Sequence, residues 1–241
     1  MPPPTSLILP RVFFDVTVGG RVAGRLVFKL FDDTLPQTCE NFRCLATGET
    51  GLGYWMRPRW YQGTRLHRII PGFMAQGGDF NFENGQMNEG IYGQHFRDEK
   101  FLYSHDQRGV VSMSNSLRKH TNGGQFFITL GAAQHLDGKH VAFGIVEDGW
   151  NTLDAIEEAG TPGGKPRYDV AIFKSGQLLG EELNSHLDDM RKRLGLGRRV
   201  KGGDGLDSAK YRPSTLPVPD SYDPVPEEVY QRARPFFDNT L

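Results

Sequence analysis

Short runs of alternating apolar and polar residues predict that most of this chain folds into β-strands. Residues 11–18 and 25–31 form two such runs, and the Gly19-Gly20 pair between them is typical of a hairpin turn. Large apolar side chains occupy alternate positions in the second run, from Leu26 onward. Because successive side chains of a strand point to opposite faces, this strand should bury one face strongly.

Two further segments carry helix signals, and six more carry strand signals. Pro36 suits the first turn of a helix that Gly48 would end, and residues 150–160 predict a second helix that ends at Gly160. Many short strands with few helices indicate a barrel or a sandwich. The six additional β-rich runs are TRLHRII, GFMAQGG, GVVSMSN, GQFFITL, VAFGIV and DVAIFKSGQL.

The character of the chain changes after about residue 179. Residues 181–195 predict a helix with an acidic first turn and a basic last turn, an order that complements the helix macrodipole. An apolar stripe predicts that this helix docks on the main domain or on a partner. Residues 202–241 contain six prolines and no strand or long-helix pattern, which is typical of an extended segment. The stripe consists of Leu183, Leu187, Met190 and Leu194.

These changes predict three parts, an N-terminal extension (1–9), a main domain (10–179) and a C-terminal extension (180–241). Hydrophobic residues make up 37% of the chain and charged residues 24%, as in soluble globular proteins. The net charge of −1 gives no global attraction to nucleic acid or to a membrane surface. The N-terminus has no charged region of the signal-peptide type, and no apolar run approaches ~20 residues. We therefore expect no membrane or nucleic-acid partner and a cytoplasmic or nuclear location.

The two cysteines of the chain, Cys39 and Cys44, fall in the first predicted helix. Five residues along a helix separate them by ~7.5 Å and put them on different faces, which does not allow a disulfide. A reducing compartment follows as the better expectation. The C-x₄-C spacing is half of a zinc site on paper, but the chain has no second cysteine pair.

A basic stretch at residues 191–201 holds six Lys or Arg residues. It suits a solvated helix end, a nuclear import signal or a nucleic-acid contact. Under the last interpretation the tail would be the functional part and the main domain its carrier in a larger nuclear or RNA-associated assembly. No aromatic-interleaved RNA motif accompanies the stretch. The C-terminal extension remains a candidate site for a protein partner.

Residues 66–80, LHRIIPGFMAQGGDF, carry the most informative chemistry. They place a cationic Arg68 close to the apolar pair Phe73-Met74 and to Gln76, an uncharged donor and acceptor. Three later blocks add polar and aromatic groups. These are SMSNS (112–116), TNGGQFFITL (121–130) and QHLDGKHVAFG (134–144).

In this combination the sequence resembles the cyclophilin family. The resemblance rests on HRIIPGFMAQGGDF, TNGGQFFI and LDGKHVAFG, in that order and at family spacing, and covers about residues 10–179. It implies a closed eight-stranded antiparallel β-barrel capped by two α-helices, peptidyl-prolyl cis/trans isomerase activity on Pro-containing peptides, and no cofactor. It also implies Arg68 as the catalytic residue. The substrate-binding residues that it implies are Phe73, Met74, Gln76, Ser114, Asn115, Ser116, Gln125, Phe127, His135, Leu136 and His140.

Other interpretations of these residues stay open at this point. The same residues could hold Pro-containing segments without turnover, as a binding module. Arg68 could serve a surface ion pair, and the apolar residues could be ordinary core. Spacing gives no support to a metal site from His67, His135 and His140, so we expect no metal. A triad of Ser112, His140 and Asp137 lacks a nucleophile elbow.

Three features depart from the family pattern. His135 stands where most relatives carry a tryptophan that contacts cyclosporin, so we predict weak cyclosporin binding with isomerase activity retained. Residues 54–60, YWMRPRW, form an insertion that resembles the extra loop of divergent-loop cyclophilins in position, either a tolerated surface loop or a partner-binding knob of tryptophans and arginines. The loop 116–123 is one residue longer than usual, and Ser114 and Ser116 flank Asn115. These changes put the preference for residues N-terminal to proline in question.

Overall fold

The computed structural model describes residues 9–195, and within them eight strands form one antiparallel sheet. This confirms a mainly β fold with eight antiparallel strands. Along the sheet the strands follow the order β3-β4-β6-β5-β7-β2-β1-β8. The strands are β1 (Arg11–Val18), β2 (Arg21–Leu30), β3 (Arg68–Ile70), β4 (Met74–Gly77), β5 (Val110–Met113), β6 (Phe126–Thr129), β7 (Ala142–Asp148) and β8 (Val170–Gln177).

The sheet curls so that the segment before β3 reaches β8 at the opposite edge. Arg65 and Ala171 form an isolated antiparallel bridge. The Gly63 N–H donates to the Ile172 carbonyl at 2.7 Å, and the Leu66 N–H donates to the Val170 carbonyl at 2.9 Å. The two edges therefore meet through an irregular segment, and the continuous ladder of the expected closed barrel is not established between them.

Two helices lie where the sequence predicts them. The helix α1 (Pro36–Thr47) begins with proline at its first turn, and α2 (Trp150–Glu158) follows β7. Gly48 ends α1 with φ 75°, and its N–H donates to the Cys44 carbonyl at 2.9 Å. Two reasons favour glycine at this position. The positive φ is one that other residues rarely adopt, and a Cβ would lie 2.6 Å from the Trp60 ring.

Alternate residues of the strands meet α1 in an aromatic core. Phe14 and Phe28 cross edge to face with centroids 4.9 Å apart, and Phe42 of α1 lies 5.2 Å from Phe126 of β6. All four rings are at most 1% exposed. Burying such rings supplies a large part of the hydrophobic stabilisation, and edge-to-face contact adds to it. The predicted buried face of β2 is therefore confirmed.

A third helix, α3 (Gly180–Arg193), docks on the outer face of β1 and β2. Leu183 packs against a small buried cluster of Phe13, Val27 and Leu178. Leu187 is also buried, at 5% exposure. Docking on the main domain was one of two predicted outcomes for this helix, and it explains why both faces of β2 carry apolar residues.

Ion pairs fix α3 along its length. Glu182 accepts from Arg25 at 2.6 Å, and Arg193 donates to Asp148 at 2.7 Å. His186 contacts Glu147 at 3.0 Å, and Glu147 also pairs with the buried Arg11 at 2.9 Å. The predictions for residues 1–8 and 196–241, including the basic stretch beyond residue 195 and the Pro-rich segment, lie outside the described residues.

Neither cysteine forms a disulfide, and both are buried in α1. The Cys39 thiol donates to the Phe143 carbonyl at 3.4 Å. Burial raises the pKa of the Cys39 thiol well above its ordinary value, and burial also raises that of Cys44. Both are therefore neutral thiols at physiological pH. Among residues 9–195, no helix is long and apolar enough to span a bilayer.

Candidate active site

The strands β3, β4, β6 and β5 place four polar and aromatic residues in one row across the sheet. Arg68 pairs with Gln76, Gln76 with Phe127, and Phe127 with Ser112. Directly opposed residues of antiparallel strands share a face, so this row lies on the outer face of the curled sheet. The neighbouring row faces the core and consists of the fully buried Ile69, Ala75 and Ile128.

Apolar side chains border this row. Met74 and Phe127 are buried, at 3% and 4% exposure, whereas Phe73 and Leu136 are half-buried. The Phe73 ring lies 5.3 Å from the exposed imidazole of His135, with 31° between the ring planes. The rim residue His135 therefore takes part in the apolar surface through its ring face. Together these side chains offer an open apolar surface suited to a small ring.

The Arg68 side chain is exposed above this surface. Its aliphatic stem runs along Gly164, where a Cβ would come within 3.0 Å of Arg68 Cγ and 3.3 Å of Nε. With φ 88°, Gly164 also adopts backbone angles that other residues rarely adopt. The guanidinium makes no hydrogen bond or ion pair with any residue of the described range. Within residues 9–195, nothing supports the alternative in which Arg68 serves a surface ion pair.

A network of amides holds the polar side of the row. The Gln76 side-chain NH₂ donates to Gln125 Oε1 at 2.8 Å and to Ser114 Oγ at 3.1 Å. Gln125 in turn donates to the carbonyls of Gly85 and Met87. Gln125 is 3% exposed, so it acts as a buried support and Gln76 as the accessible member. The geometry brings three of the predicted residues into one hydrogen-bonded group.

Asn115 and Ser116 begin the loop beside this network. The Asn115 NH₂ donates to the Lys139 carbonyl at 2.8 Å, and its Oδ1 accepts from the Leu117 N–H at 3.0 Å. Its side chain is thus engaged within the protein, while its backbone N–H and C=O have no hydrogen-bond partner among residues 9–195. Ser116 is exposed, and its hydroxyl donates to Thr121 at 3.1 Å. The backbone of Asn115 is therefore the part available to a ligand.

His140 completes the predicted set at the other end of the row. It is 8% exposed, its ring lies 5.4 Å from Phe127, and its Nδ1 lies 2.9 Å from the Met113 carbonyl. Because a carbonyl only accepts, Nδ1 carries the proton and Nε2 keeps its lone pair. Burial lowers the pKa of His140, so the ring is neutral at physiological pH. It can orient a ligand by hydrogen bonding.

His105 belongs to this site but is not among the residues predicted from the sequence. It is fully buried and stacks on Phe127, with centroids 5.8 Å apart and 23° between the planes. Its Nδ1 lies 2.8 Å from an Asp137 carboxylate oxygen, and its Nε2 lies 2.9 Å from the Ser112 hydroxyl. Burial lowers the pKa of His105. No motif singled it out, because its partners lie 32 and 7 residues away along the chain.

The insertion at residues 54–60 is anchored by a second missed residue, Glu89. This carboxylate is 3% exposed, accepts the Tyr54 N–H at 2.9 Å and pairs with Arg59 at 3.0 Å. Trp60 turns inward and donates from Nε1 to the Ala46 carbonyl at 3.0 Å. Of the two alternatives for this insertion, a knob built from both tryptophans and both arginines is not supported, because Trp60 and Arg59 are engaged within the protein. Met56, at 73% exposure, lies at the outer end of the insertion.

One group of potential metal ligands occurs in the part of the chain that the structure describes. Ligand atoms of Glu40, Cys44 and Glu49 lie within 4.8 Å of one another. The guanidinium of Arg43 donates to Glu40 at 2.8 Å and to Glu49 at 2.7 Å. Hydrogen bonding from Arg43 lowers the pKa of Glu49 to about 2. A guanidinium thus already compensates both carboxylates.

Comparison with known families gives one match over most of the main domain. A family model described as cyclophilin type peptidyl-prolyl cis-trans isomerase/CLD matches residues 13–177. The matched range contains every predicted site residue and both α1 and α2. It ends three residues before α3 begins. The insertion at residues 54–60 lies inside the range.

Proposed function

This chain belongs to the family of cyclophilin-type peptidyl-prolyl cis-trans isomerases, and on that premise we propose that it rotates X–Pro bonds of protein substrates on the outer face of β3, β4 and β6. Arg68 is the catalytic residue of the proposal. Phe73, Met74, Phe127 and Leu136 receive the proline ring. Gln76, the Asn115 backbone and His140 hold the flanking peptide.

The reaction makes limited demands on the site. Rotation about a peptide bond meets a barrier of ~18–20 kcal/mol, because resonance gives the bond partial double-bond character. No covalent bond breaks and no proton must be transferred. The enzyme has only to bind the twisted amide more tightly than either planar form. An acceleration of ~10⁵-fold corresponds to about 7 kcal/mol of such differential binding.

The observation that carries the proposal is an exposed Arg68 guanidinium beside an apolar surface, with no hydrogen-bond or ion-pair partner in the part of the chain that the structure describes. As the amide twists, the prolyl nitrogen loses conjugation and gains a lone pair. Arg68 is always protonated and can donate a hydrogen bond to that nitrogen. The donation is favourable only in the twisted form, so it lowers the barrier. Such a donor fits this role because no ion pair with a residue of the described range must be broken before the substrate binds.

The apolar surface contributes to catalysis by holding the proline ring in place while the carbonyl group before it rotates about the X–Pro bond. Burying a proline ring there gives about 1–2 kcal/mol, at ~25 cal/mol per Å² of apolar area. His105 supports Phe127 from the side and lies between Asp137 and Ser112. The neutral state of His140 supports an orienting role, since a charged imidazolium would not accept an N–H from the substrate.

Exchange NMR on a short neutral X–Pro peptide tests the proposal. The wild-type chain should bring cis and trans signals into exchange within the mixing time, whereas the uncatalysed process takes tens to hundreds of seconds. Arg68→Ala should lower kcat/KM ~10²–10³-fold, as loss of a transition-state donor does. Arg21→Ala removes an exposed arginine of the first hairpin and serves as the control. Peptide binding without catalysed exchange in the wild type would instead identify a binding module.

A further inference from the structure

The proposed substrate site, called the groove below, consists of the apolar surface and the row of residues that includes Arg68 and Gln76. The loop that follows Asn115 presents two cations at the rim of this groove. Ser114 accepts a hydrogen bond from Gln76 and so belongs to the site, and the chain then passes through Asn115 and Ser116 into the loop. Arg118 and Lys119 are both exposed there. They lie three and four residues beyond Asn115, which places them within ~10–14 Å of it along the chain.

The loop is held in place from within. Thr121 Oγ1 donates to the Arg118 carbonyl at 2.8 Å, and the Ser116 N–H donates to Thr121 Oγ1 at 3.1 Å. The His120 N–H donates to Asp98 at 2.9 Å, and the Asp98 N–H donates to His120 Nδ1 at 3.1 Å. These bonds hold the backbone that carries Arg118, so the fold sets the point on the rim from which its side chain extends.

Neither cation is neutralised within the described part of the chain. Arg118 and Lys119 form no ion pair with any residue between positions 9 and 195. A peptide that lies along the Asn115 backbone with a carboxylate near its proline would supply an ion-pair partner for these cations. A single exposed ion pair contributes only a small binding free energy. Such pairs act mainly on selectivity among substrates and on the association rate.

The C-terminal extension contains a segment with the matching chemistry. Between residues 213 and 231 the sequence has no Lys or Arg. It has instead four acidic residues set among prolines, and Asp223 directly precedes Pro224. The four acidic residues are Asp220, Asp223, Glu227 and Glu228.

The segment is long enough to reach the groove from the point where α3 ends. Arg193 forms an ion pair with Asp148 at one end of β7. At the other end of β7, Ala142 pairs with Ser112, which belongs to the same row of residues as Arg68 and Gln76. Six residues of strand separate these ends by ~20 Å. The residues from 196 to 223 span up to ~90 Å when extended. A tethered ligand also acts at a high effective concentration, of millimolar order for short tethers.

We propose, on the basis of the isomerase function proposed above, that the groove prefers prolines preceded by acidic residues and that the Asp223–Pro224 bond of the chain's own tail is such a substrate. Arg118 and Lys119 supply the preference. The tail then competes with external substrates for the groove, and isomerises while it is bound.

The test uses the full chain and a matched pair of peptides. Tyr-Asp-Pro-Val and Tyr-Asn-Pro-Val differ only in the carboxylate, and exchange NMR gives kcat/KM for each. Wild type should favour the Asp peptide about threefold to fivefold at low salt, with a smaller ratio at 0.5 M salt. Arg118→Ser with Lys119→Ser should abolish the ratio. Arg21→Ser with Lys192→Ser removes two exposed cations elsewhere and should preserve it.

Labelled proline in the full chain reports on the tail itself. Cis/trans exchange at Pro224 should be accelerated at least tenfold over the same segment as a free peptide, at a rate that does not change on tenfold dilution. Uncatalysed exchange at Pro224, or a rate proportional to protein concentration, would overturn the intramolecular contact. If neutral peptides are isomerised but the Asp peptide is not favoured, the inferred preference is wrong and the isomerase function stands. If no peptide is isomerised, the function itself fails.

Discussion

Replacing Glu147 by glutamine removes a carboxylate on which three elements of the fold converge. Glu147 lies at the end of β7, accepts two hydrogen bonds from the buried Arg11 of β1, and contacts His186 of α3. Its side chain is 13% exposed. Burial alone would disfavour its charge, but the hydrogen bonds from His186 and Arg11 hold the pKa of Glu147 at about 2. The ionised form is therefore stabilised by the folded state.

The magnitude follows from the pKa difference. The ordinary pKa is 4.5 and the folded value is about 2, which corresponds to about 3 kcal/mol of stability at neutral pH. Because the folded pKa is the lower one, this stability is present above pH 4.5 and is lost as the pH falls toward 2. About 2 kcal/mol of it should be lost between pH 7 and pH 3.

Urea unfolding followed by tryptophan fluorescence at both pH values measures this contribution. Glu147→Gln should lower the free energy of unfolding by about 3 kcal/mol at pH 7 and by only about 1 kcal/mol at pH 3. Glu158→Gln, at an exposed position of α2, is the control and should change it by less than about 0.5 kcal/mol. An equal loss at the two pH values, or a loss below 1 kcal/mol at pH 7, would refute the assignment of Glu147 as the charged anchor of α3.

Three further predictions concern the insertion, the cysteines and the groove. Glu89→Gln should cost about 2 kcal/mol and speed proteolytic cleavage near Tyr54, because a buried carboxylate that anchors the insertion is lost; unchanged cleavage would contradict this. Cys39 and Cys44 should not react with a thiol reagent at pH 8 until the protein is unfolded, since burial raises both pKa values; rapid reaction of either would count against it. His135→Trp should tighten cyclosporin binding about tenfold by restoring an indole N–H, while isomerase activity is retained; equal inhibition of both proteins would show that the substitution is irrelevant.

Local signals in the sequence were sufficient to predict the first strands and helices. The alternation in the first run, Pro36 at a helix start and Gly48 at a helix end give β1 and α1 to the residue, whereas β2 begins at Arg21, four residues before the predicted run. Each of these signals depends on backbone preferences of neighbouring residues, which tertiary contacts did not override. The motif around Arg68 could be placed for a related reason, because its residues lie within nine positions of one another, on two paired strands and the turn between them.

Contacts between distant positions could not be predicted in this way. The pairing of Arg11 with Glu147 joins residues 136 apart, and that of Tyr54 with Glu89 joins residues 35 apart. A single sequence contains no periodicity that links such positions. The inward turn of Trp60 was missed for the same cause, since it depends on the end of α1. The side-chain stripe of α3 predicted docking but not the surface on which it docks.

In the proposed mechanism, Arg68 donates a hydrogen bond to the prolyl nitrogen of a substrate held on the apolar surface. The most direct measurement is a crystal structure of the protein with an X–Pro peptide, in which the distance from the Arg68 guanidinium to that nitrogen is read. We predict a distance of ~2.8–3.2 Å, with the proline ring against Phe127. A guanidinium turned away from the bound proline, or a ring bound at another surface, would contradict the claim.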